Sequence, residues 1–416
     1  MKINFVNPTY SDPYGQWDIS SLKSSSPPLG LLSLASVARK FGHEVSITDC
    51  TVGDTFKFSD LYAITAMTLQ VKSAAEIAKT FSPNILGGSH ITAEPYATVI
   101  KYPQFDAVLI GEGEQKFSEV IGDSFKLGTL DDIPFPAFDL VDLRKYRVSP
   151  IGTRSREAIG LVTSRGCFGK CTFCSRTVFG NKVRCHSSKY VLDLMDKLNT
   201  DFGISDFLFY DDLFTGNRPR LAEICNALLA RDYTWSCCSR VDTINLDILK
   251  LMKKAGCLMI EYGIESGCQE ILDSMRKCIT LEKIRHTIAT TRKAGILSKG
   301  NFIFGYFGET ESTLKQTIQF IKTLGLDYFQ HTYMTPLPGT KAWDIADQYG
   351  KFDKDWSKCN TFSVNFVPKG ITHEKMVEMS KKAFGEFYFN PVRIFKELFR
   401  GSLWLKFKAL WKAVFR

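Results

Sequence analysis

Strand-length apolar segments alternate with helix-length amphipathic ones in two long blocks of this chain. That alternation limits it to a parallel α/β architecture. Within residues 1–122 the strands are expected at Ile3–Val6, Glu44–Thr48, Tyr62–Ala66, Asn84–Leu86 and Ala107–Ile110. Helices are expected at Gly30–Phe41, Lys72–Phe81, Tyr96–Tyr102 and Glu114–Ile121. This block predicts a doubly wound parallel sheet that takes ligands at the carboxyl ends of its strands. From 155 to 345 the pattern repeats, with strands at Ile159–Thr163, Asp206–Tyr210, Thr234–Ser239, Cys257–Gly263, Lys299–Phe304 and Tyr328–Tyr333. Six such units predict a partial (β/α)6 barrel of TIM type. Asp131-Asp132-Ile133-Pro134-Phe135-Pro136 places a linker over 123–154, and a helical extension is expected over 346–389.

Residues 390–416 differ. Phe395, Leu398, Phe399, Leu403, Phe407, Leu410, Trp411 and Val414 recur at spacings of three and four. Arg393, Lys396, Arg400, Lys406, Lys408, Lys412 and Arg416 stand against Glu397 alone, so this tail carries +6 of the net +9. It reads as a basic amphipathic helix, suited either to the protein body or to peripheral contact with an anionic membrane surface. The remaining charge is nearly balanced, which argues against a nucleic-acid partner. The N-terminus reads as a strand rather than a signal peptide, and eleven of twelve cysteines lie irregularly from Cys167 onward. Both point to a reducing, cytoplasmic setting.

Three of those cysteines form Cys167-Phe168-Gly169-Lys170-Cys171-Thr172-Phe173-Cys174. They follow the first strand of the second block, on a loop where an α/β sheet places its ligands. Three thiolates can hold three corners of a [4Fe-4S] cluster and leave one iron open to a ligand. A zinc site completed by Cys185 or His186 is the rival reading of the triplet.

The chain beyond the triplet resembles the radical S-adenosylmethionine (SAM) enzymes. Phe173 matches the aromatic residue usual before the last cysteine of their motif. Phe209-Tyr210-Asp211-Asp212-Leu213-Phe214 is similar to the acidic second-strand motif of their cobalamin-associated branch. Trp235-Ser236-Cys237-Cys238-Ser239-Arg240 and Tyr262-Gly263-Ile264-Glu265-Ser266-Gly267 resemble the third and fourth strands. Phe304-Gly305-Tyr306-Phe307-Gly308-Glu309-Thr310 and Thr335-Pro336-Leu337-Pro338-Gly339-Thr340 resemble the fifth-strand turn and the end of the sixth. Phe307 stands where proline is usual. The first block resembles the cobalamin-binding domain of the branch that includes radical SAM methyltransferases, tetrapyrrole cyclases and hopanoid-modifying enzymes. Its marks are Pro27-Pro28-Leu29-Gly30, Gly42-His43-Glu44, Leu86-Gly87-Gly88-Ser89-His90 and Gly111-Glu112-Gly113-Glu114. It lacks the Asp-x-His-x-x-Gly motif that supplies a histidine to cobalt.

The resemblance implies that Cys167, Cys171 and Cys174 ligate the cluster. SAM would chelate the open iron, and its reductive cleavage would give a 5′-deoxyadenosyl radical. Asp211 and Asp212 would meet the SAM amino group, with a helix cap or turn as the structural alternative. Glu265, assisted by Ser266, would accept the ribose hydroxyls, and Lys277 or Arg240 would pair with the carboxylate. Phe173, Asn301, Gly305 and Gly308 complete the expected SAM contacts, and Thr65, Gly87 and Gly88 those to cobalamin. His90 is a possible corrinoid contact or a structural residue. The expected activity is a cobalamin-dependent methyltransferase acting on an unactivated carbon of a small-molecule or lipid substrate, reduced by an external donor such as flavodoxin or ferredoxin. The alternatives are cyclisation, rearrangement or carbon–carbon bond formation on the same architecture. A tRNA methylthiotransferase fits less well, because the first block holds only Cys50 where those enzymes carry three more cluster cysteines.

Overall fold

The computed structural model describes residues 1–10, 25–148, 151–155, 157–391 and 393. The first block runs β1 (Lys2–Asn7), α1 (Leu29–Lys40), β2 (Glu44–Asp49), β3 (Leu61–Thr65), α2 (Val71–Thr80), β4 (Asn84–Gly87), α3 (Ser89–Ala93), α4 (Pro95–Lys101), β5 (Ala107–Val108) and α5 (Gly113–Val120). The strands pair in parallel in the order β2-β1-β3-β4-β5. β1 is buried without interruption from Ile3 to Asn7 because both of its faces are covered. Ile3 and Phe5 join the core holding Leu31, Leu32 and Phe117, while Val6 joins the one holding Ala74, Ala75 and Ala78. The strand order reverses between β1 and β3, which puts a ligand crevice at their carboxyl ends, near Asn7 and Thr65.

The segment after α5 is not a loose linker. Phe125, Leu130 and Ile133 are buried against Val37 of α1, and the Tyr146 hydroxyl donates to Asp49 at 2.9 Å. Its prolines exclude a long helix, and short 3-10 turns at Leu130–Asp132, Phe138–Leu140 and Leu143–Lys145 carry it across the sheet edge.

The second block continues with β6 (Ile159–Leu161), β7 (Ser164–Arg165), β8 (Arg184–Cys185), α6 (Ser188–Phe202), β9 (Asp206–Phe209), α7 (Arg218–Leu228), β10 (Thr234–Ser239), α8 (Leu246–Lys254), β11 (Cys257–Glu265), α9 (Gln269–Ser274), α10 (Leu281–Lys293), β12 (Leu297–Phe304), α11 (Glu311–Thr323) and β13 (Tyr328–Tyr333). The strands β6, β9, β10, β11, β12 and β13 are neighbours in that order, all parallel, as a six-stranded partial barrel. Side-chain oxygens of Ser187, Asn217, Asn245, Thr280 and Thr310 cap the helices that return from its strands. One apolar cluster runs from Ile3 and Leu32 to Ile159, Trp235 and Phe304, so the two blocks share a core.

The extension after β13 is not wholly helical. It comprises α12 (Lys341–Tyr349), β14 (Gly350–Phe352), β15 (Phe366–Pro368) and α13 (His373–Tyr388), with β14 and β15 antiparallel. Trp356 from this extension enters the core of the first block beside Ile91. Among the described residues no helix is long and apolar enough to cross a membrane. The amphipathic tail expected over 390–416 lies, beyond Arg393, outside the described residues.

Candidate functional site

The three cysteines occupy one loop between β7 and β8, whose two-residue ladder pairs Ser164 with Cys185 and Arg165 with Arg184. Gly166 opens the loop at φ +86°, where a Cβ would stand 2.2 Å from the Lys182 carbonyl oxygen. Only glycine fits that approach. The loop is then tied to the barrel mouth. The Thr172 N–H donates to the Met275 carbonyl at 3.1 Å, and Ala342 donates to the Thr172 carbonyl at 2.9 Å. The Thr172 hydroxyl also bonds that of Tyr306, whose ring meets Phe173 edge-on at 6.4 Å.

Two of the sulfurs, those of Cys167 and Cys171, meet around Gly169. A Cβ there would lie 3.4 Å from Cys167 Sγ, 3.8 Å from Cys171 Sγ and 3.2 Å from Arg240 Nη1. Burial pushes the Cys171 thiol up, while Lys277 and Arg240 pull it back toward the thiolate. An iron–sulfur cluster held by thiolates is anionic, so two buried cations beside them fit it. The ligands that the rival zinc reading needs are engaged elsewhere: His186 Nδ1 lies 3.1 Å from Asp131 Oδ1, and Cys185 stands on β8 opposite Ser164.

The charged pair at the mouth is built by strained backbone. Lys277 Nζ lies 2.8 Å from Glu265 Oε1, and both side chains are buried. Burial works against the Lys277 charge, but Glu265 and then Cys171 hold its pKa above the ordinary value. Glu265, Arg276 and Cys278 are the described non-glycine residues with positive φ, at 73°, 53° and 56°. All three belong to this pair or flank it, and such strain persists only where the surrounding structure over-determines it. Gly263 leaves the room: a Cβ there would come 2.6 Å from Glu265 Oε1 and 2.9 Å from Lys277 Nζ. Arg240 is aligned beside them by a two-point contact with Asp242, at 2.9 and 2.8 Å, and donates to the Lys277 carbonyl at 3.1 Å.

Several expected contacts have other partners. Asp211 gives both oxygens to the base of the cysteine loop, accepting from Thr163 N–H at 2.6 Å, Thr163 Oγ1 at 2.8 Å and Ser164 Oγ at 2.6 Å. Asp212 accepts from the Gly166 N–H at 2.8 Å. The acidic pair therefore anchors the loop, the turn role that Asp commonly fills. Ser266 is fully buried and faces Thr317 of α11 at 3.1 Å, away from the mouth. Gly305 is held to glycine by its backbone, at φ +83°, and a Cβ there would also meet Met376 Cε at 2.3 Å. Gly308, at φ +80°, faces open space. His90 is structural, held between Thr68 and Thr98 hydroxyls at 3.2 Å each and edge-on to Trp356.

At the carboxyl edge of the N-terminal sheet, Gly87 is open, while a Cβ at Gly88 (φ +104°) would stand 2.9 Å from Thr65 Oγ1. This edge abuts the cysteine loop. Arg165 donates to Glu112 at 2.8 Å and to Glu114 at 3.1 and 2.5 Å, and Arg184 donates to Glu112. Sequence spacing gave no sign of this pairing. Inside the barrel, Glu261, Gly263, Lys299 and Asn301 alternate with buried Ile260, Tyr262, Gly300 and Phe302 and line the lumen. Lys299 pairs with Glu261 at 3.0 Å, level with Cys238 on β10.

Comparisons with known proteins agree with this geometry. Residues 161–321 match the radical SAM superfamily. The chain is 34% identical over 424 positions to an uncharacterized methyltransferase of Pyrococcus horikoshii, covering 90% of this chain and 91% of that protein. It is 27% identical over 454 positions to the anaerobic magnesium-protoporphyrin IX monomethyl ester cyclase of Cereibacter sphaeroides, covering 97% and 72%. Its fold is similar to that of OxsB, a cobalamin-dependent SAM radical enzyme solved with aqua-cobalamin and SAM bound. The TM-score is 0.75 at 18% identity, covering 98% of this chain and 70% of that one.

Proposed function

Because this chain belongs to the radical SAM superfamily, we propose that it is a cobalamin-dependent methyltransferase acting on an unactivated carbon. When bound, the cluster supplies the electron that splits SAM into methionine and a 5′-deoxyadenosyl radical, and the corrinoid supplies the methyl group. Cys167, Cys171 and Cys174 would hold the cluster. Glu265 and Lys277 present one anionic and one cationic group, matching the hydroxyls and the carboxylate of SAM, with Arg240 as second cation. Phe173, packed edge-on to Tyr306, and Gly308, which faces open space, would complete the SAM contacts, with Asn301 on the lumen face. Gly87, flanked by Thr65 and Gly88, leaves room for the corrinoid at the crevice of the N-terminal sheet. The substrate enters the lumen, where Tyr210, Cys238, Glu261 and Lys299 offer polar contacts.

One observation carries this reading. The cysteine loop is seated directly on the carboxyl edge of the N-terminal sheet, so ligands of the two blocks meet at one place. The methyltransferase relative in Pyrococcus horikoshii supports methyl transfer over ring formation. The test is anaerobic purification, iron reconstitution and spectroscopy with a corrinoid, followed by assay of SAM products. Uptake of iron and corrinoid with formation of both 5′-deoxyadenosine and S-adenosylhomocysteine is expected. A protein that takes up iron and cleaves SAM but never retains corrinoid eliminates the proposal.

A further inference from the structure

The contact between the N-terminal sheet edge and the cysteine loop is ionic where apolar packing would have sufficed. Arg165, two residues before Cys167, is 10% exposed and faces Glu114, 6% exposed. Its other neighbour Glu112 also receives Arg184, so two acids and two arginines form a neutral network. Burying such a network is costly, and apolar side chains of similar volume commonly stabilise as well or better. What the planar guanidinium adds is direction, because its fork fixes two carboxylates at once. Burial opposes ionisation of Glu114, yet the Arg165 contact holds its carboxyl below the ordinary range, so the network stays charged.

The same edge is tied back to the Gly87-Gly88 turn. Thr92 Oγ1 donates to the Gly88 carbonyl at 2.8 Å and accepts from the Gly111 N–H at 2.9 Å, next to Glu112. A second grip lies at Gly339, where a Cβ would stand 2.7 Å from Thr177 of the cysteine loop and 3.0 Å from Ala93 of α3. The cysteine loop is thus held at two points against the loops that follow β4 and β5.

We propose that Glu112 and Glu114 are positioning residues: through Arg165 they fix the cysteine loop at one distance and orientation relative to the corrinoid crevice. The inference rests on the proposed methyltransferase reading and deepens it. Misplacing reacting groups by about 1 Å commonly costs about a hundredfold in rate. Loss of the network therefore leaves both cofactors bound but separates SAM cleavage from methyl donation.

The experiment compares wild type, Glu114→Gln and the apolar double variant Arg165→Met/Glu114→Leu, each reconstituted with iron and hydroxocobalamin. The double variant leaves no buried charge unpaired within that pair, so it keeps the test open if the single variant fails to fold. Iron content, the electron paramagnetic resonance spectrum of the reduced cluster with SAM, and the ratio of S-adenosylhomocysteine to 5′-deoxyadenosine are measured. Wild-type iron content with an altered SAM-bound spectrum and a ratio lowered about tenfold or more is expected. A double variant with wild-type spectrum and ratio overturns the proposal and leaves the network as domain adhesive. If wild type itself retains no corrinoid, the methyltransferase reading fails. The spectrum of the double variant then decides the positioning role alone: a change supports it, and an unchanged one rejects it.

Discussion

Lys277 Nζ sits 2.8 Å from Glu265 Oε1, the two side chains being 7% and 11% exposed. A pair so deeply buried has little water to replace a lost partner. Lys277→Met leaves a bare carboxylate, with an expected loss of about 3–5 kcal/mol in unfolding free energy. Glu265→Gln keeps a hydrogen-bond acceptor and should fold and take up iron. Its SAM affinity is expected to fall about tenfold to a hundredfold, the worth of one charged hydrogen bond. Titration of the SAM-induced change in the reduced-cluster spectrum measures this, and unchanged affinity removes Glu265 from the SAM site.

Gly263→Ala tests the same pair without touching either charge. The added methyl would come 2.6 Å from Glu265 Oε1 and 2.9 Å from Lys277 Nζ. Both groups must shift, and the pair opens. Weaker SAM binding with near-normal iron content is expected. A crystal structure of the variant with the 2.8 Å contact intact would contradict the steric argument.

The strands and the cysteine loop were legible because their signals are local. Short β-prone runs and the Ser, Thr and Asn caps mark β10, β13 and the returning helices in a few residues each. Lys277 was harder to read. Left-handed backbone at Arg276 and Cys278 turns it inward, from a position that sequence alone leaves open to a solvated helix face. Ser266 and Gly305 look like site residues by motif, yet Thr317 and Met376, distant in sequence, claim them. The Arg165–Glu114 contact spans 51 positions between two blocks. No periodicity encodes such a pairing, and only tertiary packing reveals it.

Gly88→Ala should cost stability as well as corrinoid retention. The position has φ +104°, and a Cβ would meet the Ala66 carbonyl oxygen at 2.7 Å. Backbone strain of this kind costs about 1–3 kcal/mol. Gly87→Ala is the control, since its Cβ meets nothing within 4 Å and any loss of corrinoid there reports the crevice rather than the fold. Chemical denaturation separates the two effects. Equal unfolding midpoints for both variants would refute the strain argument.

Acid should loosen the contact between the extension and the N-terminal sheet through His90. Burial, with Lys101 adding to it, lowers the His90 pKa from 6.5 to about 4. The unfolded chain therefore binds more protons than the folded one between those values. Stability from this residue is fully present above pH 6.5 and is lost as pH falls toward about 4, amounting to about 2 kcal/mol by about pH 5. The ring packs against Trp356 at 4.4 Å, so the loss is felt where the extension meets the first block. His90→Gln removes the titrating ring. Its unfolding free energy should fall less between about pH 7 and pH 5 than that of wild type, and parallel pH profiles would exclude His90 as the cause.

Lys299→Met separates substrate binding from cofactor chemistry. Lys299 and Glu261 are 17% and 26% exposed and 3.0 Å apart, with their neighbours along the strands turned into the core. TIM-type barrels usually fill this layer with branched apolar side chains, so a charged pair here is retained against the ordinary packing preference. A partly exposed pair adds at most about 1 kcal/mol to stability. Its removal should leave the fold, the iron content and SAM cleavage in the absence of substrate close to wild type. Product formation with the cognate substrate should instead fall at least about tenfold, expressed mainly in KM, because a lost charged hydrogen bond weakens ground-state binding. A variant with unchanged KM and kcat would mean that the substrate does not reach this layer, and would move the substrate site toward the mouth beside Arg240.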